Sequence, residues 1–285
     1  MKWDYLLGPV GIVYLTRDDG RKVCMFADRH VIEEENCTSS VGSITTEMFI
    51  LATAILSSEP ILLCIEGQPF HARPGVVPQN RIELVAYEVG NTHIPNVDYQ
   101  WRFEPPGFTN TMQVFIDITR SIPPKGDSIP PKGEVPERKS ELADVLRSFV
   151  SNGEYCLVDV LLRVFDLELV KEFPVSKPDT LHTPFSDVIS ELDKDVPSQW
   201  ALEYCFDFWC MYDDAILEIP YLLSILESDH QHFFVYAGYI HVEHFVGQLT
   251  QRGFKVEFEN WLPYSDDHFS SQCVDISKLP QPLFS

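Results

Sequence analysis

The run Phe233-Phe-Val-Tyr-Ala-Gly-Tyr-Ile-His241 decides the fold. Five residues apolar on both faces suit a strand covered from both sides, as a parallel sheet flanked by helices requires. Gly238 closes the run and permits close backbone approach where strand turns into helix. Tyr239 to Arg252 is then amphipathic, with Gly253 placed as its stop. Working outward, Ile61 to Ile65 (ILLCI) and Val23 to Ala27 (VCMFA) have the same character, and Gln113 to Ile118 (QVFIDI) is a fourth candidate. A strand-like Ile12 to Thr16 and the turn signal Asp19-Gly20 predict an opening hairpin into Val23 to Ala27.

Helical spacing predicts helices over Ile44 to Leu56, capped by Thr45 or Thr46, and over Ser140 to Val150, Tyr155 to Phe173 and Trp200 to Leu226. Pro220 is expected to end or kink the last of these. The alternation of strands and helices gives an α/β class with a mostly parallel sheet core. The expected organisation is one domain over 1–285, with a helical insertion at 140–230. The segment Ser121 to Asp127 is repeated as Ser128 to Glu134, with paired prolines in each copy. It reads as an exposed, extended loop. The Pro-, Gly- and Asn-rich stretch from 67 to 110 reads as an irregular excursion over the sheet edge.

A net charge of −22 repels phosphate backbones and anionic lipid, so neither nucleic acid nor a membrane surface is an expected partner. A basic protein partner or a homo-oligomer fits better. No stretch approaches the length of a spanning helix, and the first residues show no signal-peptide pattern. The odd cysteine count, seven, without a close framework predicts reduced thiols and a cytoplasmic setting.

In open α/β sheets ligands bind beyond the carboxyl ends of the strands. Those ends carry Asp28 and His30, then Glu66, then Asp117, and finally His241 with His244 three residues on. Two imidazoles and a carboxylate can hold a divalent metal, and a His–Glu pair can activate water. The candidate metal ligands are His30, Glu66 and His241. The wider catalytic set adds Asp28 and Asp117. If one site gathers them, the polar heads of His30, Glu66 and His241 should fall within about 8 Å of each other. His244 is expected at a solvated helix position, and His230 and His232 are expected to face solvent.

The strand ends FADRH (26–30), CIEG (64–67), IDITR (116–120) and VYAGYIH (235–241) resemble the TraB/Tiki, ChaN-like and erythromycin-esterase group. They resemble more closely a set of proteins of large nucleocytoplasmic DNA viruses. That resemblance implies a ChaN/Tiki-like fold and a place in the host cytoplasm or the virion. It allows two functions. One is a metal-assisted hydrolase in which His30 and His241 bind metal and Glu66 is the base. The other is a non-catalytic virion or host-interaction protein that keeps the fold.

Overall fold

The computed structural model describes residues 2–28, 42–66, 82–87, 135–165, 178–195, 197–262 and 273–284. The chain is laid out as two compact units, Met1–Tyr99 with Pro220–Ser285, and Gln100–Ile219.

The first unit holds a six-stranded mixed sheet. Its strands are β2 (Gly11–Thr16), β3 (Lys22–Asp28), β5 (Ile61–Glu66), β6 (Ile82–Tyr87), β7 (His232–Gly238) and β8 (Lys255–Trp261), in the order β6-β5-β7-β3-β2-β8. The expected hairpin is present as the antiparallel pair β2–β3. Neighbours β6–β5, β5–β7 and β7–β3 run parallel, while β2–β3 and β2–β8 are antiparallel. A second sheet of three short strands has β1 (Tyr5–Leu7) between β4 (Ser43–Thr45) and β9 (Cys273–Asp275).

The period of two along each strand sorts the apolar residues into two layers. Register places Leu63, Phe234 and Cys24 side by side, then Ile65, Tyr236 and Phe26. This layer packs on Phe49, Ile50 and Ala54 of helix α1 (Thr46–Leu56) and on Leu279, Leu283 and Phe284 near the carboxyl end. Thr45 caps α1, its hydroxyl accepting from Met48 N–H at 3.3 Å. The opposite layer carries Cys64, Val235 and Met25, then Glu66, Ala237 and Ala27. On that side Tyr221 donates its buried hydroxyl to the carbonyl of Ile65 and stacks on Phe245, ring centroids 6.1 Å apart.

The described part of the second unit is helical: α2 (Val135–Ser151), α3 (Leu157–Phe165), α4 (Pro178–His182) and α5 (Phe185–Leu192). Phe149, Phe185 and Phe208 form its aromatic centre, their ring centroids 5.8–5.9 Å apart. Helix α6 (Gln199–Glu227) continues through the point where the two units divide.

Several expectations need correction. Of the two outcomes expected at Pro220, an end or a kink, the end is not observed: α6 runs on to Glu227 with Leu217, Ile219, Tyr221 and Leu222 all buried around the proline. Burial of apolar side chains outweighs a local propensity here. The irregular stretch 67–110 contains an ordered strand, Ile82–Tyr87, paired to β5. Cys24, Cys64, Cys156 and Cys205 are free, but Cys273 is disulfide-bonded, so the thiols are not all reduced. Sequence spacing says nothing about which cysteines meet in space. Burial pushes the thiols of Cys24, Cys64 and Cys205 up, which keeps them inert. The candidate strand at 113–118 and the repeated loop at 121–134 lie outside the described residues. No helix among the described residues is long and apolar enough to cross a membrane.

His232 is also corrected: it is 6% exposed, not solvent-facing. Its ring stacks on Phe284 at 4.6 Å between centroids, and Nδ1 lies 3.1 Å from the Ser57 hydroxyl. Burial first, then the charge of Lys22, holds its pKa below the usual 6.5, with Glu59 opposing. The unfolded chain therefore takes up this proton more readily than the folded one. Stability is undiminished above the unfolded pKa and falls as pH drops below about 6.5 toward the folded value. Thermal melts between pH 7.5 and 5 should show a steeper loss for the wild type than for His232→Gln. Parallel losses would show that this histidine does not couple folding to pH.

Candidate functional site

Strands β3, β5 and β7 are mutually parallel in the sheet, so their carboxyl ends, Asp28, Glu66 and Gly238, share one edge. From Gly238 the chain enters helix α7 (Tyr239–Gln251), which packs back against β3 and β7. The first turn of α7 brings His241 to this edge.

Glu66 and His241 meet. Glu66 Oε1 lies 3.7 Å from His241 Nε2, with the two side chains only 13% and 16% exposed. The other oxygen, Oε2, accepts the backbone N–H of Gly238 at 2.6 Å. Gly238 is the N-cap of α7 and has no side chain to cap it. The carboxylate of a neighbouring strand therefore satisfies a donor that helix starts leave open. It also places negative charge at the positive end of the helix.

Asp28 sits at the same edge but belongs to the other layer. Its register partner is Gly238, and Phe26 pairs with Tyr236 one step back, so Asp28 shares a face with Tyr236 and not with Glu66. The Tyr236 hydroxyl donates to Asp28. Burial, then the charge and hydrogen bond of Asp28, push its pKa up. A phenol held this way is a proton donor, not a base.

His30 and Asp117 lie outside the described residues. Of the five site residues expected from sequence, the structure thus joins Glu66 to His241 and directs Asp28 to the opposite face.

His244 is the correction that matters most for chemistry. It is half-buried instead of solvated, one turn beyond His241. His241 and His244, three residues apart at the start of α7, share one face of that helix. The i, i+3 spacing of the histidines is visible in the sequence. Tyr239 and Ile240, between Gly238 and His241, are 37% and 53% exposed and give this edge an apolar rim.

Comparison with known proteins returned no similarity: no family model, no curated protein and no solved structure matches this chain.

Proposed function

We propose that the edge around the first turn of α7 is the metal centre of a hydrolase. The observation that carries this reading is the pairing of Glu66 Oε1 with His241 Nε2 at 3.7 Å, with a second imidazole, His244, one turn along α7. Imidazole and carboxylate donors of this kind suit zinc or a neighbouring first-row divalent ion and leave positions for water. Such an ion supplies a hydroxide near neutral pH. The chain's own contribution is to hold the imidazoles in place, to keep the site largely buried, and to present Tyr239 and Ile240 toward an apolar part of a substrate. The resemblance of the strand ends to the ChaN-like and erythromycin-esterase group supports the same class.

A second reading is favoured by one specific contact. The Glu66 carboxylate holds the Gly238 N–H, a structural duty that an inert descendant of such a site would also retain. In that case the chain is a virion or host-interaction component that keeps the fold.

The deciding experiment is metal analysis of the purified protein, followed by titration of the stripped protein with zinc, manganese and cobalt. The hydrolase reading expects about one equivalent per chain. It expects His241→Ala and His244→Ala each to weaken binding at least tenfold, with hydrolysis of model esters or phosphoesters lost in parallel. Substoichiometric metal in the wild type, or equal affinity in both variants, leaves only the non-catalytic reading.

A further inference from the structure

We propose that Glu66 is a positioning residue and not the base that activates water: it fixes the first turn of α7 and selects which nitrogen of His241 faces a ligand. The functional half of this inference rests on the metal reading above, whereas the positioning half stands on the contacts alone.

The geometry argues it in two steps. In a capping box, the third helical residue is a Glu or Gln whose side chain reaches back to the N-cap N–H. Here the N-cap is Gly238 and the third helical residue is His241, which offers no carboxylate. Glu66 performs that task from β5, accepting from Gly238 N–H at 2.6 Å. The carboxylate thereby ties the start of α7 to a strand far away in sequence, and the imidazole at the vacated position comes under its control.

The second step concerns the ring. His241 turns Nε2 toward Glu66 Oε1 at 3.7 Å, an ion-pair approach too long for an ordinary hydrogen bond. A carboxylate so close favours the form with its proton on Nε2, because it can accept and never donate. Nδ1 is then the nitrogen with a lone pair to offer. Carboxylates that hold a ligating histidine in one tautomer are a common means of raising metal affinity. A general base needs reach to a water or substrate proton, and Glu66 has one oxygen on the backbone and the other turned to His241.

The test compares Glu66→Gln with Glu66→Ala in the full chain, using three readouts. These are hydrogen exchange at the Gly238 amide, the 15N shifts of the His241 ring near neutral pH, and the affinity for zinc and cobalt. Glu66→Gln keeps an oxygen that can accept from Gly238, so exchange there should stay slow. Its side-chain amide can also donate, so the Nε2-protonated form of His241 should lose its dominance. Metal affinity should then fall 10- to 100-fold. Glu66→Ala should speed exchange at Gly238 as well. An unchanged tautomer population in Glu66→Gln overturns the proposal, whatever the metal does. A shifted tautomer in a wild type that binds no metal sinks the metal reading while leaving the positioning role standing. A base role would instead show metal affinity unchanged in Glu66→Gln with only hydrolysis lost, and that result overturns the proposal too.

Discussion

Replacing Phe234 by Ala is expected to cost the fold about 3–5 kcal/mol, the largest effect of any single truncation considered for this sheet. Phe234 is fully buried at the centre of β7, flanked by β5 and β3. Its ring centroid lies 5.4 Å from that of Phe26, 5.1 Å from Phe284 and 6.4 Å from Phe49. One ring thus joins three structural elements: a neighbouring strand, the carboxyl-terminal segment and helix α1. Removing it deletes the transfer energy of the side chain and leaves a cavity. It also loses three aromatic pairings, each worth roughly 0.5–1.5 kcal/mol beyond the area buried. Collapse of the cavity is hindered because the walls come from separate elements held by their own hydrogen bonds. Denaturant unfolding should show the midpoint shifted with little change in slope. As a control, Val256→Ala, at a position 39% exposed on β8, should stay within about 0.5 kcal/mol of the wild type. A loss below about 1 kcal/mol at Phe234 would mean that the three elements do not close on this ring.

The central strands were legible in the sequence for the same reason that Phe234 matters. Runs apolar on both faces, VCMFA, ILLCI and FFVYA, have few alternatives to a covered position, and all three are strands. Helices α1 and α7 were also legible, since cap residues and apolar spacing agreed with each other. The peripheral strands were not. β8, Lys-Val-Glu-Phe-Glu-Asn-Trp, carries charge at alternate positions and is paired on one side by β2, so neither hydrophobic run nor propensity announces it. β6 lies in a stretch whose surroundings look irregular, and its pairing with β5 is a long-range fact. The site divides in the same way. That Glu66 and His241 stand at strand and helix ends could be read from residue order. That Glu66 and Asp28 point to opposite faces depends on register between strands, which one sequence does not specify. The disulfide at Cys273 and the burial of His232 are likewise products of tertiary approach, without local signature.

Register also decides the second large prediction, at Gly11. This residue opens β2 and is paired with Ala27 on one side and Trp261 on the other. A Cβ added there would overlap the Trp261 ring, with two further ring carbons at 2.6 and 2.9 Å. The indole lies across the glycine, as aromatic residues do when they cover a bare backbone position in a neighbouring strand. Neither partner can give way cheaply. β2 is held by hydrogen bonds to β3 and β8, and Leu262 N–H bonds the Val10 carbonyl at 2.8 Å beside the contact. Gly11→Ala should therefore destabilise the protein by about 1–3 kcal/mol, as overpacking does. The opposite sign is expected once the ring is gone. In a Trp261→Ala background the three ring carbons nearest the added methyl are gone, and the lower entropy of the unfolded chain should leave Gly11→Ala neutral or stabilising by up to about 1 kcal/mol. The two substitutions must then be coupled by about 1–3 kcal/mol in a double-mutant cycle. Strand propensity alone would give Gly11→Ala the same effect in both backgrounds. Equal effects would therefore refute the packing of Trp261 on Gly11, and with it the register that sets β8 beside β2.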